Sequence, residues 1–268
     1  MSDVSPQLSL VIPAYREGRR LPALVARWAE LALAAREHTV ELIVVDDGSP
    51  PTEVEVERAA VDAAARRLAE AGAPHRVRFE SAGRNQGKGA AVRRGWTLAD
   101  PGARWLGFVD ADGAVSADEV WRLTRALAGD PPVEVLAATR IRMAGRLIER
   151  SLVRHLQGRV FATIVEQLYH LGFYDTQCGA KFFRGSALRP ILPLLEEDRW
   201  LLDVEILAIL AHGGARMIEA PIDWSDPGGS KVIPLLDPLR MGLRLWTMRR
   251  RLTRAGGPLA APRGREGA

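Results

Sequence analysis

Cysteine is almost absent from this sequence. Cys178 is the only one in 268 residues, which excludes an internal disulfide and a cysteine-based zinc cluster and fits a reducing compartment. Long apolar runs are missing too. The best candidate, 21–35, is broken by Arg27 and Glu30, so nothing approaches the roughly 18 uninterrupted apolar residues of a spanning helix. No basic-then-apolar leader opens the sequence, which argues against a secretory signal and for a cytoplasmic location. There is no internal repeat and no interdomain linker. Two common nucleotide signatures are also lacking. The turn Gly83-Arg-Asn85-Gln-Gly87-Lys88-Gly89 has three residues between its first two glycines where a P-loop has four, with Gly89 in place of Ser or Thr. It is not a G-x-G-x-x-G fingerprint either.

What is present is ordinary in bulk: 47% hydrophobic and 26% charged residues, with a formal net charge of +4. That modest basicity suits nucleic acid, anionic lipid or a phosphate-bearing substrate without choosing among them. The length allows one large α/β domain or two small ones. Short apolar segments at 8–13, 41–45, 77–80, 105–109 and 133–139 read as strands. Between them 21–36, 53–70, 89–99 and 117–128 read as helices, an alternation that predicts a mostly parallel sheet covered on both faces. Farther on, 142–172 and 201–212 read as helices, and 217–224 resembles a last strand.

The strand ends carry the chemistry. The first runs into Pro13-Ala-Tyr15-Arg-Glu17, where Tyr15 could lie against a base and Glu17 near a ribose; the ordinary alternative is a turn with Glu17 serving the first helical turn. The second ends in Asp46-Asp47-Gly-Ser. Adjacent residues point to opposite sides, so one aspartate faces the crevice as a hydrogen-bond acceptor, or the pair merely forms an Asx-turn. The 105–109 strand ends in Asp110-Ala-Asp112. Side chains at i and i+2 share a side, so two hard oxygen ligands for a divalent ion stand at the carboxyl end of a strand, where open α/β sheets bind ligands. A solvated turn is the plain alternative.

Taken in order, these strand ends resemble those of the inverting family 2 glycosyltransferases of the GT-A fold, and most closely the polyprenyl- and dolichyl-phosphate sugar synthases of the β-glucosyltransferase type. Supporting residues include Asn85-Gln-Gly-Lys-Gly-Ala-Ala-Val-Arg93, Asp175-Thr-Gln-Cys-Gly179 with Lys181, Arg199-Trp200, Asp203-Val-Glu205 and Gly229-Ser-Lys231. The resemblance covers about 6–250. It implies a single Rossmann-like α/β domain over 6–234; beyond it the residues themselves read as a basic helix over 235–254 and a disordered Gly/Pro/Ala/Arg tail over 255–268. The resemblance assigns Pro13, Tyr15, Glu17 and Asp47 to base and ribose, Asp110 and Asp112 to Mg2+ or Mn2+ and the diphosphate, and Lys88 to the nucleotide sugar. It places Arg140, Arg150, Arg154 and Lys231 at phosphate groups of the acceptor, where an arginine fork fits a phosphate bidentately.

The implied reaction moves a hexose, glucose from UDP-glucose ahead of mannose from GDP-mannose, onto a polyprenyl phosphate. Asp112 and Asp203 are the expected catalytic carboxylates. With a hydroxyl acceptor Asp203 is the general base; a phosphate acceptor is already ionised, and Asp203 then only orients groups. Relatives with membrane helices at either end differ from this sequence, so a soluble acceptor stays open. Between Leu235 and Leu252 a helical projection sets Arg240, Arg244 and Arg251 between two apolar stripes. That predicts contact with the inner membrane face, or, equally, one stripe packed on the domain beside solvated arginines. A nucleic-acid-binding module would explain the basicity, but carboxylates lining the crevice repel a phosphate backbone. A sugar-nucleotide-forming nucleotidyltransferase would need a Gly-rich N-terminal signature that is missing.

Overall fold

The computed structural model describes residues 5–35, 38–149, 152–225 and 237–260. Strands β1 (Leu8–Ala14), β2 (Val40–Asp46), β3 (Arg76–Ser81), β4 (Trp105–Val109) and β5 (Val135–Thr139) alternate with helices α1 (Leu21–Ala34), α2 (Pro51–Glu70), α3 (Lys88–Leu98) and α4 (Ala117–Ala128), as the periodicity predicts. The later elements are β6 (Ile148–Glu149), α5 (Leu152–Tyr169), β7 (Ala180–Arg184), α6 (Gly185–Leu188), α7 (Leu202–His212), β8 (Met217–Pro221), β9 (Trp224–Ser225) and α8 (Asp237–Thr253), with a 3-10 turn over Arg189–Leu194.

Seven strands form one sheet in the order β3-β2-β1-β4-β7-β5-β8, with β6 and β9 pairing separately. All its pairings are parallel except those of β7, which runs antiparallel to both β4 and β5. Strand alternation sends Leu10, Ile12, Leu42, Val44 and Phe182 into one core with α1, α2 and α4. Val11, Ile43, Leu106, Phe108 and Phe183 enter a second core with α3, α5, α7 and α8. The result is a three-layer α/β/α domain. No helix among the described residues is long and apolar enough to cross a membrane.

Two expectations are corrected. The helix predicted over 142–172 begins only at Leu152. Gly145 takes a φ of +80°, and the preceding segment instead lays β6 beside β9, with Trp224 N donating to Leu147 O at 2.9 Å. At the other end, residues 255–260 do not fray. They turn back on α8, where Leu259 N donates to Leu252 O at 2.9 Å.

Candidate active site

The inverted strand β7 builds the site. Because it runs against its neighbours, its start lies at the carboxyl ends of the parallel strands, and Asp175-Thr-Gln-Cys-Gly179 arrives beside Asp110. Asp110 N donates to Gly179 O at 2.8 Å. A β-carbon on Gly179 would sit 2.7 Å from the Asp110 carboxyl carbon, so only glycine leaves that carboxylate its place.

Lys88, the first residue of α3, brings its Nζ within 2.7 Å of Asp110 Oδ1. Its ammonium also lies 4.9 Å from the Phe108 ring centroid and 5.8 Å from that of Trp200, both within cation–π range. Burial acts to lower the Lys88 pKa, but the charges of Asp110 and Asp203, the Asp110 hydrogen bond and the Asp112 charge outweigh it and raise it. Asp112 is half-buried, accepts from Ala114 N at 3.0 Å, and is pushed upward by burial and then by the neighbouring Asp110 charge. Two carboxylates this crowded favour a cation between them. Among the described residues no three His, Cys, Asp or Glu side chains converge as a closed metal cage. The pair therefore fits an ion that takes its other ligands from a bound diphosphate and water, as Mg2+ commonly does.

Beneath this cluster Lys181 is fully buried. Its ammonium donates to Cys178 O at 2.7 Å and lies 3.4 Å from Asp203 Oδ1. The second contact is an ion pair without hydrogen-bond geometry, and Asp203 Oδ1 has no hydrogen-bond partner. Asp203 occupies the first turn of α7 and is 4% exposed. Sequence reasoning gave Lys181 no role. Its signal was a lysine placed directly before the apolar pair Phe182-Phe183 of the strand Ala180–Arg184.

The nucleotide side is more committed than expected. Both aspartates after β2 are buried. Asp46 accepts Ser49 N at 2.9 Å and the Ser81 hydroxyl at 2.9 Å, in an Asx-type turn. Asp47 accepts the backbone N–H groups of Gln86 and Gly87 at 2.8 Å each, so it ties the end of β2 to the Lys88 loop. Burial raises the Asp47 carboxyl, against the pull of those two amides. Glu17 is buried and takes two bonds from Arg20, at 2.7 and 2.8 Å, serving the first turn of α1. Pro13 and Tyr15 stay partly exposed, with the Arg16 guanidinium 5.2 Å from the Tyr15 ring centroid.

On the other side of Asp110, Arg140 follows β5 and grips Asp175 bidentately at 2.6 and 2.8 Å. Burial opposes charge on both. Arg140 nevertheless pulls the Asp175 carboxyl down to about 2, and Asp175 raises the guanidinium. Among the described residues this leaves Nη1 of Arg140 for another acceptor. Beside it a small pocket is lined by Arg159, Tyr174 and Gln177. Arg150 and Lys231 lie outside the described residues, as do the side chains of Arg154 and Arg240.

The basic helix is packed, not free. Leu245, Met248 and Leu252 of α8 are buried, whereas Leu243 and Trp246 are exposed. Arg244 and Arg251 are not merely solvated; both pair with carboxylates of the domain.

Comparison with known proteins bears on the family and the fold. The family profile "Glycosyl transferase family 2" matches residues 9–192. The chain is 32% identical to mouse dolichyl-phosphate beta-glucosyltransferase over 91% of its own length and 75% of that protein. Against the Saccharomyces cerevisiae enzyme of the same name it is 29% identical, over 90% and 74%. Among solved structures, glucosyl-3-phosphoglycerate synthase from Mycobacterium tuberculosis, in complexes with Mn2+, UDP and glucosyl-3-phosphoglycerate, superposes with a TM-score of 0.62 at 18% identity, covering 94% of this chain and 81% of that one. The same synthase with Mg2+ and UDP gives 0.63, at 18% identity over 94% and 80%.

Proposed function

This chain belongs to glycosyl transferase family 2, and from that premise we propose that it transfers glucose from UDP-glucose, with inversion, to a polyprenyl phosphate of the dolichyl class. The observation that carries the reading is the meeting of Lys88, Asp110 and Asp112 at the carboxyl end of β4, with Lys88 Nζ 2.7 Å from Asp110 Oδ1. The donor and acceptor assignments are supported by relatives named dolichyl-phosphate beta-glucosyltransferase that align over nine-tenths of the chain.

In this reading Pro13 and Tyr15 flank the base, while Asp47 and Glu17 hold the walls of that pocket in shape. Asp110 and Asp112 hold Mg2+ or Mn2+, a class of ion crystallised with UDP in the fold-sharing synthase. When bound, such an ion supplies positive charge to the departing diphosphate. Lys88 supplies a second positive charge from the protein. Arg140 offers Nη1 to the acceptor phosphate and keeps it in line on the opposite face of the sugar. One acceptor oxygen bonds to the anomeric carbon as the bond from that carbon to the diphosphate breaks, and the electron pair leaves with UDP. The acceptor needs no base, since a phosphate monoester is already ionised near neutral pH. Asp203, buried against Lys181, then acts as a positioning group. Contact with a membrane surface is assigned to the exposed side of α8, through Leu243 and Trp246.

Thermal-shift titration with UDP, GDP and their sugars, with and without Mn2+, tests donor and metal together. Stabilisation by UDP-glucose that needs Mn2+ and is lost in a folded Asp112→Ala variant supports the reading. Preference for GDP-mannose removes the donor assignment, and full metal response in Asp112→Ala removes the metal site.

A further inference from the structure

Two arginines of α8 have partners unlike those of a surface helix. Arg251 donates to Glu205, which is fully buried, and lies 3.1 Å from Glu196 Oε1. Arg244 donates to Glu197 Oε1 at 2.8 Å, and Glu197 is also buried. Docking alone does not call for these pairs, because Leu245, Met248 and Leu252 already anchor the helix with 0%, 4% and 0% exposure. An ion pair to a carboxylate as buried as Glu205 recovers its desolvation cost poorly, so its presence asks for another reason.

The far side of Glu205 supplies it, and Glu197 belongs to the segment that Glu205 holds. Glu205 accepts the backbone N–H groups of Glu196 and Glu197, the latter at 3.0 Å, and so fixes the course of 195–200. That segment is the seat of the Lys88 loop. Asp198 O accepts Ala90 N at 3.0 Å, and Arg93 of α3 donates to Leu195 O and to Asp198. The approach is backbone against backbone. A β-carbon on Gly89 would lie 2.5 Å from Glu197 O, and one on Gly87 would strike Asp198 O. Lys88 stands between those two glycines. It is held from below by 195–200 and from the other side by Asp47, which accepts Gly87 N at 2.8 Å. Trp200, at the end of the same segment, faces its ammonium.

We propose that Arg244 and Arg251 are positioning residues for the donor site: through Glu197 and Glu205 they fix the path of 195–200, and that path sets Lys88 and Trp200 against Asp110. α8 is thereby a strut of the nucleotide-sugar pocket. Anything that breaks these two pairs, such as a pull on the exposed Leu243 and Trp246, loosens the grip on the donor. The term donor site rests on the function proposed above; the mechanical link does not.

The test compares Arg251→Met and Arg244→Met, which keep apolar stems, with Leu252→Ala on the same helix as a purely structural control. Amide hydrogen exchange is followed in 83–92 and 195–201, with UDP affinity measured calorimetrically in Mn2+ and the donor KM and kcat measured separately. Both arginine variants are expected to speed exchange in the two segments and to weaken UDP binding by about ten-fold or more, consistent with the cost of misplacing a binding group. Leu252→Ala should lower the melting temperature while both segments keep wild-type exchange and UDP affinity. Arg244 is 43% exposed, so its variant stays folded even if that of Arg251 does not. The proposal is overturned if the arginine variants behave as Leu252→Ala does. If wild-type protein binds no UDP, the functional reading fails while hydrogen exchange still decides the link.

Discussion

Gly179 and Asp110 are fitted to one another: the glycine carbonyl accepts the aspartate N–H at 2.8 Å, and any β-carbon on the glycine would fall 2.7 Å from the carboxyl carbon. The turn leading into β7 thus leaves room for the carboxylate that follows β4, and Thr-Gln-Cys delivers that glycine. Gly179→Ala is expected to retain the fold but to lower kcat by about 100-fold, the cost of shifting a reacting group by an ångström. Mn2+ binding followed by electron paramagnetic resonance should weaken in parallel. Unchanged Mn2+ binding would show that Asp110 tolerates displacement.

The Arg140–Asp175 pair predicts a stability effect of definite sign. Arg140 holds the Asp175 carboxyl near 2, below its ordinary 3.8. A lowered carboxylate stabilises the fold above the unfolded value, and that stability is lost as pH falls from about 4 through 2. Urea unfolding at pH 7 should find Arg140→Met less stable by about 3–5 kcal/mol, because it leaves a buried charge alone. The double variant Arg140→Met, Asp175→Asn should recover much of the loss. A double variant no better than the single one would contradict the pairing.

Glu57 predicts the opposite slope. It is fully buried under the turn after β1, accepts Glu17 N at 2.8 Å, and has a second oxygen without a hydrogen-bond partner. Burial, opposed by that amide and reinforced by the charges of Asp46, Glu53 and Glu17, pushes its carboxyl up to about 7. A raised carboxyl gives stability that is full below about 4.5 and lost as pH rises through 7. Melting temperatures between pH 5 and 8 should therefore fall more steeply in the wild type than in Glu57→Gln, which keeps an acceptor for the Glu17 amide. Parallel curves would contradict this.

The first half of the fold was legible because short, largely apolar strand segments alternate with longer amphipathic ones and are separated by turn chemistry, and α4 matches its predicted bounds from Ala117 to Ala128. The direction of β7 was not legible. Side-chain alternation of Phe182 and Phe183 is the same whichever way a strand runs. The helix predicted from 142 failed because pairing of β6 with β9 overrides local helix preference. At the site, Lys88 and Asp110 meet because the loops that follow β3 and β4 open onto one crevice. Service to the first turn of α1 was one of the two readings open for Glu17, and its partner Arg20 lies only three residues on. The role of Asp47 in tying down the Lys88 loop was not legible, because its partners, the amides of Gln86 and Gly87, are set by a loop path that spacing alone does not encode. Arg244 and Arg251 read as membrane-facing or solvated, not as paired, because their carboxylate partners lie some 50 residues earlier in the chain, on 196–205.

The most direct measurement incubates the full chain with UDP-[14C]glucose, Mn2+ and a short polyprenyl phosphate, then partitions the mixture between water and organic solvent. The account predicts that label enters the organic phase in proportion to lipid phosphate, that it requires Mn2+ or Mg2+, and that Asp112→Ala abolishes it. Label that stays in the aqueous phase at saturating lipid phosphate, or passes instead to a soluble hydroxyl acceptor, would contradict it.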